Sequence, residues 1–158
     1  MYPYILRQII IHCNKVKESN LVTLIRKNID IYNWLRIETT TLQGFPDLIG
    51  ISSQMDTVFV ECKIAVGSRI RITPHQVSMN IKLWEESGGC NYFIVLVQQA
   101  KSIPLEGVFL YEGKVAKDLA INGVNEPPIV NQWIGIRDQL RMVHEHRILK
   151  KRITDHGA

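Results

Sequence analysis

The sequence reads as a single α/β domain, because short runs rich in β-branched and aromatic residues alternate with segments of helical periodicity along one chain of 158 residues. That length suits one domain whose core needs no disulfide or metal staple. Apolar residues make up 46% and charged residues 22%, close to globular averages, which disfavours disordered, collagen-like and coiled-coil architectures.

The elements follow in order. Leu6, Ile9, Ile10, Cys13, Val16, Leu21, Leu24, Ile25 and Ile29 recur every three or four residues and predict helix over residues 4–28, in one piece or two joined near Asn14. Residues 34–38 alternate apolar and polar and lead into Thr39, Thr40 and Thr41, which predicts a first strand. Gly44-Phe45-Pro46-Asp47 is a bend, since proline biases Phe45 toward extended geometry and glycine permits positive φ. Residues 48–51 and 57–64 read as two strands joined by the polar segment from Ser52 to Asp56.

Thr73-Pro74-His75-Gln76 carries three agreeing helix-start signals: Thr at the N-cap, Pro at the first helical position and Gln three residues after the cap. The helix should run to about Ser87, where Gly88-Gly89 supplies the stop. Residues 92–97 form an unbroken apolar run, expected as a central strand buried on both faces. A further strand over residues 108–111 ends in a Glu112-Gly113 turn, residues 122–128 are too rich in Gly, Asn and Pro for regular structure, and residues 134–150 read as a closing helix. Trp34 and Trp84 are expected in the core.

Composition narrows the function classes. No apolar run reaches the roughly 18–20 residues that a membrane helix needs, and the opening residues carry no signal-peptide cleavage pattern, so no membrane partner is expected. The three cysteines, Cys13, Cys62 and Cys90, are odd in number and lack a CxxC pair, which fits a reduced, cytoplasmic setting better than a disulfide framework or four-thiolate zinc. In His144-Glu145-His146 the histidines stand two apart, not the four apart of a helical zinc pair. The net charge of +4 is concentrated in the tail, where Arg137, Arg141, Arg147, Lys150, Lys151 and Arg152 face only Asp138 and Glu145.

Strand periodicity puts Phe59, Glu61 and Lys63 on one face and Val58, Val60, Cys62 and Ile64 on the other, with the second set packed inward. Asp47 lies just after the Pro46 bend, fourteen residues before Glu61, a spacing that one hairpin folds back on itself. Two carboxylates can therefore converge. Mg²⁺ takes one or two carboxylates, retained waters and a substrate phosphate, and Asp47, Glu61 and the backbone carbonyl of Cys62 can supply the protein's share. Lys63 beside such an ion would orient water and stabilise charge building on phosphorus, so the set suits phosphodiester hydrolysis.

Taken together, Glu18-Ser19, Gly44-Phe45-Pro46-Asp47, Glu61-Cys62-Lys63 and Thr73-Pro74-His75-Gln76 resemble, in order, the motifs of the PD-(D/E)XK nuclease superfamily, most closely its VRR-Nuc branch. The resemblance covers residues 17–97, about half the chain. It implies a restriction-endonuclease-like α/β core, with a central mixed sheet of four to five strands flanked by helices, and Mg²⁺- or Mn²⁺-dependent DNA cleavage. It further implies that Glu18, Asp47 and Glu61 bind metal, that Lys63 positions water and that Gln76 sits beside the site. Gln76 is equally explained as the third residue of a capping box.

The expected protein is thus one nuclease domain over residues 1–158, with an accessory segment over residues 103–158 that matches nothing in the resemblance. A structure-specific endonuclease acting on Holliday junctions or branched DNA is the leading expectation, phage-encoded enzymes being one source. A sequence-specific homing or restriction endonuclease and a non-catalytic DNA-binding module are the alternatives. Arg69 and Arg71, in the loop after the Glu-x-Lys strand, are expected to meet the phosphate backbone, and Arg141, Arg147, Lys150 and Lys151 to form a second DNA contact. Two strand cuts call for two sites, so a homodimer is expected, with Ile5, Leu6, Ile9, Ile10 and Ile11 offering a face for it.

Overall fold

The structure, a computed structural model, describes residues 17–98 and 107–155. Five strands lie side by side in chain order: β1 (Asn33–Arg36), β2 (Leu48–Ile51), β3 (Thr57–Val66), β4 (Asn91–Gln98) and β5 (Gly107–Glu112). β3 and β4 run parallel and every other pair is antiparallel, so the sheet is mixed, as expected. A parallel pair needs a crossover connection, and α2 (Pro74–Glu86) provides it. The other helices are α1 (Glu18–Asn28), α3 (Ala116–Asn122) and α4 (Trp133–Asp155).

The period-2 alternation of the strands builds a core on each face. Val58, Val60 and Cys62 of β3, Tyr92 and Ile94 of β4 and Val108 and Leu110 of β5 pack with Leu21 and Ile25 of α1 and Ile136 and Leu140 of α4. Ala65, Phe93, Val95, Val97 and Tyr111 point the other way, with Ala116 and Leu119 of α3 and the apolar side of α2. β4 is an interior strand between β3 and β5, one place from the middle of the sheet, and is covered on both sides as its unbroken apolar run predicts. The face carrying Glu61 is covered too, by α2 and α3, whereas the alternation of β3 alone placed only Val58, Val60, Cys62 and Ile64 inward.

Several boundaries shift for local reasons. Residues 4–16 of the expected first helix, and with them the apolar face expected to meet a partner, lie outside the described residues; α1 is described from Glu18. β1 stops at Arg36 instead of Glu38. The threonines that follow make no strand, because Thr39 Oγ1 accepts hydrogen bonds from Thr41 N at 3.3 Å and Leu42 N at 3.1 Å, and this local turn competes with a ladder. α3, only seven residues long, is too short to show periodicity, and 3₁₀ turns at Gly113–Val115 and Gly123–Asn125 flank it. α4 runs on to Asp155, past the expected residue 150.

Asp56, at the β2–β3 connection, anchors α4. Its carboxylate sits 2.7 Å from Arg147 Nη1 and 2.9 Å from His144 Nδ1, and it accepts a longer bond of 3.4 Å from the Tyr32 hydroxyl. Arg147 also donates to the Thr57 carbonyl at 3.2 Å.

Candidate active site

The bend before β2, the middle of β3 and the first turns of α2 and α1 bring the expected residues together. β2 is paired to β3 only as far as Leu48 opposite Val60, so β3 continues beyond it with an open edge. Asp47, placed by the buried Pro46, occupies that edge: its Oδ2 accepts the Cys62 N–H at 2.8 Å. Within a strand the N–H and C=O of one residue face the same edge, so the Cys62 carbonyl faces the side held by the Asp47 carboxylate. The Cys62 thiol points into the opposite core, where burial pushes its pKa well up, with the Asp47 and Glu61 charges adding to the rise.

Glu61 and Lys63 share the other face of β3, as the alternation predicts, and both are buried, at 0% and 7% exposure. Lys63 Nζ lies 2.8 Å from Glu61 Oε1 and 3.8 Å from Glu18 Oε1 at the start of α1. Gln76 Nε2 donates to the same Glu61 oxygen at 2.6 Å. The capping box decides this orientation: Thr73 N–H donates to Gln76 Oε1 at 3.1 Å, so only the amide nitrogen is left to face Glu61. Gln76 therefore caps the helix and touches Glu61 at the same time.

The electrostatics follow from this packing. Burial pushes the Glu61 carboxyl up to about 7; Lys63 opposes the shift, and the Asp47 and Glu18 carboxylates add to it. For Lys63 burial works toward a lower pKa, but the hydrogen-bonded Glu61, then Glu18 and Asp47, outweigh it and hold the ammonium charged. Glu61 Oε1 thus has two donors, whereas Oε2 is buried with no hydrogen-bond partner. An ionised carboxylate oxygen buried bare is costly, and a cation is the partner that relieves it.

That orphaned oxygen is the test of whether the residues present fit a divalent metal, and they do: Glu61 Oε2, the Asp47 carboxylate and the Cys62 carbonyl are hard oxygen donors, the kind Mg²⁺ and Mn²⁺ take. Among the described residues no three His, Cys, Asp or Glu side chains stand close enough to hold a metal by themselves. Water and substrate oxygens would have to complete the coordination, as is usual for Mg²⁺. Glu18 is half-exposed and turned toward Lys63.

The expected DNA contacts divide. Arg69 and Arg71 are exposed in the loop after β3, a few residues from Lys63. Reciprocal backbone bonds between Val66 and Arg69 tie that loop, and Val124 N–H donates to the Ser68 carbonyl at 2.9 Å. A cleft of about 550 Å³, lined by Ser68, Arg69, Asn122 and Asn125, opens beside it. Arg141, Lys150 and Lys151 are exposed on α4, across the sheet and toward the Asp56 end. Asp56 precedes Glu61 by five residues, roughly 16 Å of strand. Arg147, also expected at DNA, lays its guanidinium on Asp56 and the Thr57 carbonyl and so fastens α4 to the sheet. Sequence reasoning also missed buried Asn80 and Asn91. Asn80 Nδ2 donates to the Gln76 carbonyl at 2.8 Å, and Asn91 Nδ2 donates to Asn80 Oδ1 at 2.8 Å, bracing the first turn of α2.

Among solved structures the chain is similar to Archaeoglobus fulgidus Hjc, a Holliday junction resolvase from an archaeal hyperthermophile, with 13% identity over 62% of this chain and 75% of that one and a TM-score of 0.44. No curated protein matches it. The family model for the archaeal Holliday junction resolvase (Hjc) matches residues 15–148, a span that takes in all four motifs, the whole sheet and most of α4. By that match the chain belongs to the archaeal Holliday junction resolvase (Hjc) family.

Proposed function

We propose that this structure-specific DNA endonuclease cuts four-way junctions with a divalent-metal site built on Asp47, Glu61 and the Cys62 carbonyl, Mg²⁺ being the ion its oxygen donors suit best. The observation that carries the reading is the asymmetry of Glu61: Oε1 is held by Lys63 and Gln76, while Oε2 is buried without a partner. When bound, the cation supplies Lewis-acid polarisation of the scissile phosphate and a more acidic water.

The side chains perform the remaining work. Gln76 and Lys63 hold the Glu61 carboxylate by one oxygen and leave the other uncommitted. Lys63, kept charged by its acidic neighbours, orients the attacking water and offsets charge developing on phosphorus. Asp47 holds its place through the Cys62 N–H. Glu18, 3.8 Å from Lys63, would add a third carboxylate beside the ion. Arg69 and Arg71 receive the backbone phosphates next to the cut, and Arg141, Lys150 and Lys151 offer a second basic surface for a junction arm. The likeness to the VRR-Nuc branch rests on the order of the four motifs.

Two coordinated cuts imply a two-fold dimer. The outward side of α4 supports it: Met142, Leu149 and Ile153 are 64%, 58% and 65% exposed and recur at helical spacing opposite the core face. Incubating a synthetic four-way junction with the protein in Mg²⁺, Mn²⁺ or EDTA tests the reading. Paired nicks with either metal and none in EDTA are expected; cleavage in EDTA would overturn the metal assignment.

A further inference from the structure

Gly44 stands where two parts of the site touch. Its φ of +81° lies in the left-handed region. A Cβ placed on it would collide with the His75 carbonyl group and come within 2.7 Å of Gln76 N. These are backbone atoms of the first turn of α2, which cannot swing aside as the end of a side chain would. The bend that carries Asp47 thus rests directly on the peptide that carries Gln76.

Neither side of this contact has slack. The bend is pinned by Phe45, which packs edge-on against Phe59 at 5.9 Å, and by the Asp47 bond to Cys62. Gln76 is pinned in turn: its N–H by the Thr73 hydroxyl, its carbonyl by Asn80, its side-chain oxygen by the Thr73 N–H and its side-chain nitrogen by Glu61. Any side chain at residue 44 would push the start of α2 away from the bend. A shift of about 1 Å would carry the 2.6 Å Gln76–Glu61 hydrogen bond out of bonding range.

We propose that Gly44 is a positioning residue for strand cleavage: by letting the Asp47 bend close onto the His75–Gln76 peptide, it sets the Gln76 amide against Glu61. The inference rests on the reading of Glu61 as the central carboxylate of the site.

The test is a double-mutant cycle on single-turnover junction cleavage by the full chain, with junction affinity and melting temperature measured beside it. Gly44→Ala is expected to slow cleavage at least tenfold at unchanged affinity. Because it acts through Gln76, adding Gly44→Ala to Gln76→Ala should cost less than threefold more. Gly50→Ala, whose Cβ would meet Trp34 at 2.8 Å in the core, is the control: it should lower the melting temperature and leave the rate per folded molecule unchanged. Wild-type cleavage by Gly44→Ala, or a full multiplicative loss in the double variant, would overturn the proposal. If Gly44→Ala does not fold, Gly44→Asn, which tolerates positive φ and carries the same Cβ, replaces it; failure of both to fold would mark Gly44 as a folding requirement and overturn the proposal as well. Full activity of Glu61→Ala would instead remove the site reading beneath it.

Discussion

The Gln76 amide nitrogen and Glu61 Oε1 lie 2.6 Å apart, joining the first turn of α2 to the middle of β3. The amide nitrogen is free for this contact because the oxygen end of the same amide is committed to Thr73.

Gln76→Glu should therefore be worse than Gln76→Ala. The alanine loses a capping partner, at about 1 kcal/mol or less, and leaves Glu61 to Lys63 alone. The glutamate keeps the capping oxygen but sets a second carboxylate against Glu61, where like charges repel. Single-turnover rates beside thermal melts check this. The expected ranking is wild type, then alanine, then glutamate in rate, with glutamate no less stable than alanine at acidic pH.

Asp47→Asn, Glu61→Gln and Lys63→Met should each abolish cleavage and leave junction affinity within a few fold of wild type, since affinity comes chiefly from phosphate contacts elsewhere. Gel-shift titration beside cleavage assays separates the two quantities. Wild-type turnover in any of the three would remove that residue from the site.

The sequence made these residues legible because their signals are local. Pro before Asp47, alternation through Glu61 and Lys63, and a cap-to-Gln76 spacing each survive without tertiary context. The unbroken apolar run of β4 likewise marked it as a strand buried on both faces. The Arg147–Asp56 pair was not legible, because 91 residues separate the partners and a basic residue late in a helix reads the same whether it meets solvent, DNA or a distant aspartate. Gly44 hid its contact with His75 for the same reason: its positive φ could be expected from the bend, but what lies against it could not. α3 was missed because two turns of helix carry too little periodicity to read.

Metal-free protein should lose stability as pH rises. The folded state holds the Glu61 proton up to about pH 7, whereas the unfolded chain releases it near 4.5. Between those values the native state binds more protons, so stability falls through the window, by on the order of 3 kcal/mol, and levels off above it. Urea unfolding in EDTA from pH 5 to pH 8 should show the decline in wild type and a flatter profile in Glu61→Gln. Equal profiles would mean that Glu61 titrates normally.

Arginines of similar sequence context should behave differently. Arg147→Ala strips Asp56 of its closest partner and should cost about 1–3 kcal/mol of stability with the salt dependence of DNA binding unchanged. Arg69→Ala and Arg71→Ala should leave stability within about 0.5 kcal/mol and lower the slope of log K against log salt by about 0.9 per lost phosphate contact. Binding titrations across a salt series, paired with melts, distinguish the two classes.

The most direct measurement compares wild type and Glu61→Ala on a synthetic four-way junction and on a linear duplex of the same sequence, at matched salt in Mg²⁺. Wild type is expected to nick the junction in pairs without comparable cutting of the duplex, and Glu61→Ala to bind without cleaving. Cleavage of one linear site with junctions ignored, or undiminished cutting by Glu61→Ala, would contradict this expectation.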